Sequence, residues 1–151
     1  MRRVYIVGIV VAILLFLVIS ALLARVFSAN SAEQSAITSL VQSEAKGDVG
    51  AILGEVQGCR TDPSCRQRAA ANAAALKRPG SVSIIQLQPS TSFSLGGTEG
   101  TARVAWDVGG SLPIVQCVEV RRTGNLFSGQ SVQLLALSPQ ISGGADCPSK
   151  L

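Results

Sequence analysis

Residues 69–87 read AAANAAALKRPGSVSIIQL, and the period of the sequence changes inside this stretch. Up to Leu76 the pattern is helical: Cys65, Ala69, Ala73 and Leu76 recur at steps of three and four and share one narrow face. Pro79-Gly80 ends the helix, since proline disfavours α geometry in the residue before it. Ser81–Leu87 then turns β-branched and apolar, with Ile84-Ile85 breaking the alternation as a bulge or bend does. Everything before this boundary reads as helix and everything after it as strand. Segregated runs of this kind define an α+β fold, with helices packed on an antiparallel sheet.

Upstream, Asp62-Pro63 starts the Ala-rich helix, with aspartate as N-cap and proline at the first helical position. Before it, Asp48 caps a short helix with apolar positions Val49, Ile52, Leu53 and Val56, stopped by Gly58. Before that, Ser31 as N-cap and Gln34 three residues on form a capping box. They predict a helix over 32–46 with Ile37, Leu40 and Val41 on its apolar stripe, ended by Gly47.

Downstream, Pro89 interrupts the first strand and Ser92–Leu95 resumes an extended pattern. Gly96-Gly97 and Gly100 predict a turn. Ala102, Val104, Trp106 and Val108 alternate cleanly with Arg103, Ala105 and Asp107. Gly109-Gly110 is the next turn, Ile114–Arg122 a strand, Thr123-Gly124-Asn125 a turn and Ser131–Leu137 the last strand. The expected domain thus has three helices on a curved sheet of about four strands. Its boundaries are 1–27 for a cytoplasmic stub and transmembrane anchor, 28–141 for the extracytoplasmic α+β domain, and 142–151 for an irregular tail tethered by a disulfide through Cys147.

The N-terminus sets the location. Val4 to Ala24, VYIVGIVVAILLFLVISALLA, carries no charge and as a helix would span about 31 Å, the thickness of a hydrocarbon core. Arg2 and Arg3 precede it and Arg25 follows, so the positive-inside rule leaves a short stub in the cytoplasm and the rest outside. A cleaved signal peptide would have a shorter apolar region, and Ala29-Asn30-Ser31 lies awkwardly beyond Arg25 and Phe27 for a cleavage site. The expectation is a retained single-pass anchor in the lipid bilayer.

The charge balance changes once the anchor is set aside. The chain has 13 basic and 9 acidic residues, a net of +4. Three of the arginines flank the apolar run, which leaves ten against nine, or +1, over residues 28–151. That balance disfavours a nucleic-acid partner. Histidine is absent, which excludes imidazole bases and most catalytic zinc sites. No phosphate loop, zinc signature or nucleophile elbow occurs, so no catalytic residue, metal or cofactor is assigned.

Cys59, Cys65, Cys117 and Cys147 all follow the apolar segment. An even number in an extracytoplasmic domain points to disulfides, and the spacing fits neither a redox nor a zinc motif. Four cysteines allow three pairings. Local closure favours Cys59–Cys65 with Cys117–Cys147, loops that the chain-entropy model values at about 2.4 and about 3.7 kcal/mol.

Candidate ligand-binding residues are few. Trp106 could line a pocket but sits where core is expected. Glu119, if buried, could act as a base, though Val118 and Val120 compete for the core face. Asp107 and Arg103, four apart on one strand, and Glu119 with Arg121 read as weak ion pairs on a solvated face. Arg60, Arg66, Arg68, Lys77 and Arg78 form a basic cluster that could meet anionic lipid or a surface polymer.

Ala36–Leu53, AITSLVQSEAKGDVGAIL, resembles the opening of nuclear transport factor two-like domains: an amphipathic helix, a Gly-Asp break, then a short apolar helix. Val118–Leu137 is similar to the family's closing strands, with a Gly-centred turn and an aromatic at Phe127. The resemblance covers about residues 32–140 and implies a cone, in which a bent sheet wraps three helices around a cavity. The family holds enzymes, ligand binders and domains without catalysis. Its enzymes use Asp and His pairs amid aromatics, whereas here only Phe93, Trp106 and Phe127 follow residue 27. The abundance of Arg, Ala and Gly suggests a GC-rich bacterial source. The leading expectation is a non-catalytic domain docking a partner protein at the cell envelope. The alternative is a small-molecule binder or enzyme using the cone's cavity.

Overall fold

The computed structural model describes residues 2–90, 98–125 and 129–151. The extended segment expected at Ser92–Leu95, the Gly96-Gly97 turn, Phe93 and Phe127 lie outside the described residues.

The first helix departs from expectation. The N-cap expected at Ser31 is absent, and α1 runs unbroken from Arg2 to Lys46 over 45 residues. Thr38 Oγ1 donates to the Gln34 carbonyl at 2.6 Å within the continuous helix. Ser and Gln are tolerated in a helix interior when flanked by strong helix formers, and propagation adds a hydrogen bond per residue once a helix is nucleated. The boundary drawn at residue 27 therefore falls inside α1. Its segment Ile6–Ala24, 19 residues at a mean hydropathy of 3.3, is long and apolar enough to cross a membrane, and none of it is buried inside the fold. From Glu33 onward the same helix turns Ile37, Leu40, Val41 and Ala45 into the core.

The other helix signals are met. α1 ends in a Schellman motif: Gly47, at φ 73°, donates to the Glu44 carbonyl and Asp48 donates to Ser43. Asp48 then caps α2 (Val49–Glu55), accepting from the Ala51 amide at 3.0 Å. Asp62 caps α3 (Pro63–Ala75) through the Ser64 amide at 2.9 Å. α3 lays Ala69, Ala73 and Leu76 against the core, as its narrow face predicts.

Four strands follow: β1 (Val82–Gln88), β2 (Thr98–Val108), β3 (Ile114–Asn125) and β4 (Gly129–Leu137). They form an antiparallel meander in the order β1-β2-β3-β4. The irregularity read at Ile84-Ile85 is a bulge: Ile84 pairs with Trp106 and Gln86 with Ala105, leaving Ile85 unpaired and exposed. Two turn expectations are corrected. Gly100 lies within β2 opposite Val120, and Thr123-Gly124-Asn125 continues β3, with Asn125 opposite Gly129. Glycine marks a turn only when a neighbouring strand does not claim its backbone. At Gly109-Gly110 the turn does form, with positive φ at both residues and the Ser111 amide on the Val108 carbonyl.

The core lies between the helices and the face of the sheet carrying Ala102, Val104, Trp106, Val108, Ile114, Val118 and Val120. The end of α2 protects the β4 edge, where Gln57 donates to the Leu134 carbonyl at 2.7 Å. Both preferred disulfides are present, Cys59–Cys65 and Cys117–Cys147, with Cα separations of 5.1 and 5.7 Å. The tail is more ordered than its composition suggests. Ile141 donates to the Val115 carbonyl, extending the β4 ladder along β3. Beyond it the chain folds back across the sheet face opposite the helices. There Arg103 donates to the carbonyls of Gly143 and Ala145, Cys147 is bonded to Cys117, and the Leu151 amide meets Glu119.

Candidate functional site

The three residues singled out for ligand binding do not converge. Trp106 points into the core and is fully buried. Asp107, its neighbour on β2, faces the other side, opposite Ser83, and is half-buried. Glu119 shares that outer side, across from Thr101, six residues from Asp107 along β2 or about 20 Å. Glu119 is buried, as a candidate base would be, and the tail covers it: its Oε2 accepts the Leu151 amide at 3.1 Å.

The expected ion pairs are also rearranged. Arg103 holds the tail instead of Asp107, and Arg121 pairs across the sheet with Glu99, at 2.6 Å, instead of with Glu119. Residues two apart on a strand point the same way, but the cross-strand neighbour is closer. Two members of the basic cluster, Arg68 and Arg78, take separate structural roles, while Arg60, Arg66 and Lys77 stay exposed. Arg68 donates to the Leu137 carbonyl, and Arg78 donates to the carbonyls of Ala75 and Lys77 at the end of α3. Cations at helix C-termini satisfy carbonyls that the helix leaves free. The Arg78 amide also bonds Ala45 at 3.0 Å, so this end of the domain lies about 32 Å along α1 from Ala24.

What the fold does assemble is a buried polar cluster. Glu44, on α1, is fully buried. Its Oε1 accepts from Asn72 Nδ2 of α3 at 2.8 Å and from Gln116 Nε2 of β3 at 3.1 Å. The same two amides reach the Ser138 carbonyl, at 2.9 and 3.4 Å. Gln116 Oε1 in turn accepts the Trp106 indole N–H at 2.8 Å. Glu44 Oε2 has no hydrogen-bond partner among the described residues. A second buried carboxylate, Glu33, joins α1 to the far end of the sheet. It takes the amide and hydroxyl of Ser90 at 2.9 and 3.1 Å and ion-pairs with Arg122, whose Nε is 2.6 Å away.

Neither carboxylate was singled out from the sequence, yet the signal was there. Glu33, Ile37, Leu40, Val41 and Glu44 lie on one helical stripe, and Ile114, Gln116, Val118 and Val120 on one strand face. A polar residue on an apolar stripe is a buried polar group that needs partners.

Burial pushes the Glu44 carboxyl up to about 7 from an ordinary 4.5; the Asn72 and Gln116 hydrogen bonds oppose the rise and the Glu55 charge adds to it. The folded state thus holds a proton that the unfolded chain gives up. Stability from Glu44 is fully present below about pH 4.5 and is lost as pH rises through about 7, a span worth about 3 kcal/mol. The melting temperature of the wild-type protein should therefore fall from pH 5 to pH 8. A Glu44→Gln variant should lose most of that slope; an unchanged slope would remove Glu44 as its cause.

The chain matches no protein-family model, no curated protein and no solved structure.

Proposed function

We propose that this protein is a single-pass, membrane-anchored domain that docks a partner protein at the outer side of a bacterial cell envelope. The observation that carries the reading is the continuity of α1: one helix bears both the apolar segment Ile6–Ala24 and the stripe around which the domain core is built. About 14 Å of helix separates Ala24 from Glu33, the first side chain bonded to the sheet side of the fold. A domain mounted this way is held at a set height and orientation over the bilayer, which suits a docking platform.

Two features favour docking over catalysis. Trp106, Ile37, Leu40, Ile52 and Leu76 fill the space between helices and sheet, where a cone would hold its ligand. Asp107 and Glu119 lie on the opposite face, one of them under the tail. The break at Gly47-Asp48, the short α2 and the antiparallel meander support the nuclear transport factor two-like reading, and with it a cone-shaped domain.

Protease treatment of intact cells should remove the domain while a cytoplasmic control survives; full protection would contradict the outward orientation. Crosslinking in intact membranes followed by pull-down should recover a discrete protein species that depends on the domain. Recovery of the same species with the apolar segment alone would overturn the docking role.

A further inference from the structure

Glu44 has a feature that docking does not use. Its carboxylate is fully buried at the junction of three elements, with one oxygen saturated and the other, Oε2, without a partner among the described residues. An unpaired carboxylate oxygen in a core is costly when charged and much less so when it carries a proton. We propose that Glu44 is a proton-operated latch: a proton taken up from the surrounding medium on Oε2 tightens the junction of α1, α3 and β3, and its release loosens that junction. The proton binds and leaves as such, with no bond to carbon made or broken and no electron transferred.

The charged surroundings are simple. From α2, Glu55 faces the site; its Oε1 accepts the hydroxyls of Ser39 and Ser43, and its Oε2 is buried without a partner among the described residues. Its negative charge adds to the burial that holds the Glu44 carboxyl near 7. From α3, Asn72 is neutral, and Arg68, one turn before it, is engaged by the Leu137 carbonyl beside Ser138. From the sheet, Trp106, Gln116 and Val118 are uncharged, and the chain beyond β4 offers the Ser138 carbonyl. Histidine, which usually titrates in this range, is absent from the whole chain.

The geometry also supplies the readout. The single tryptophan of the chain is linked to Glu44 through one residue, Gln116, which accepts from the Trp106 indole and donates to Glu44. When Glu44 ionises, Gln116 is drawn to the charge and the indole bond must respond.

The test uses the full-length protein in lipid nanodiscs. Trp106 fluorescence and the indole N–H resonance are followed from about pH 5 to about pH 8.5, the range in which a shifted carboxyl of this kind titrates. The latch predicts one transition centred near pH 7. Glu44→Gln should abolish it, and Glu55→Gln should move it to lower pH by removing a like charge. A flat Trp106 signal in the wild type, or the same transition in Glu44→Gln, would overturn the proposal. Should Glu44→Gln fail to fold, the carboxyl carbon resonance of Glu44 in the wild type decides the matter directly. A midpoint near neutrality sustains the latch, and a midpoint in the ordinary carboxylate range sinks it.

Discussion

Trp106→Ala is expected to unfold the domain or come close to it. The ring is fully buried between sheet and helices, near the C-terminal end of β2. Truncating a buried aromatic costs about 3–5 kcal/mol. The change also strips Gln116 Oε1 of its indole donor, and an unsatisfied buried acceptor adds about 1–3 kcal/mol. Native domains are stable by only about 5–15 kcal/mol, so the loss should lower the melting temperature by well over 10 °C. A thermal melt of the full-length variant in detergent checks this. If Trp106 served a ligand, the variant would melt within about 2 °C of wild type and fail only in binding. Asp107→Asn, on the half-exposed outer face, should shift stability by less than about 0.5 kcal/mol and serves as the control.

Arg122→Ala is the second large effect. Glu33 is 1% exposed and Arg122 brings the charge that balances it. Removing one partner of a buried pair leaves an uncompensated charge, at a cost of about 3–5 kcal/mol. The Ser90 amide and hydroxyl remain and keep the loss toward the lower end. The loss should also be local. Hydrogen exchange should quicken first in α1 near Glu33 and at the end of β1, while amides around Ile52 and Leu76 keep their protection until global unfolding. Replacing both partners, Glu33→Gln with Arg122→Met, should recover much of the stability, because no buried charge is then left alone. A double variant as unstable as Arg122→Ala would show that the contact, and not the unpaired charge, carries the energy.

Local signals served this sequence well wherever the chemistry that decides structure is itself local. Asp48 and Asp62 cap helices because their carboxylates reach backbone amides two or three residues on, so the caps were legible without any tertiary knowledge. The bulge at Ile85 and the core position of Trp106 followed from alternation alone. The expectations that failed turned on competition from outside the window. Ser31 has the chemistry of an N-cap, but the helix entering from the apolar segment already supplies the carbonyls that a cap replaces. Gly100 and Gly124 read as turns, yet Val120 and Gln130 take up their places in the ladder.

The polar cluster was the hardest to see, since its members sit on three separate elements and the chain beyond β4. Glu44, Asn72, Gln116 and Ser138 are each unremarkable in sequence, and only the fold brings their amides, carbonyl and carboxylate together. Placing Glu33 and Glu44 on the stripe of Ile37 and Leu40 would have flagged two buried carboxylates, but not what satisfies them. The tail shows the same limit. Its irregular composition hid the fact that Arg103 and Glu119, both read as solvated, hold it against the sheet.

The docking proposal rests on α1 being one rigid helix from the apolar segment into the core, and a distance measurement tests this most directly. Leu23 and Gln42 are both exposed on α1 and can be replaced by cysteine for spin labelling, since the native cysteines are all paired. In nanodiscs, pulsed electron resonance should give a single narrow distribution centred near the helical spacing of about 29 Å, broadened only by the labels. A broad distribution, or a markedly shorter distance from a bend near Ser31, would mean that the domain hangs on a flexible joint and would contradict the rigid platform.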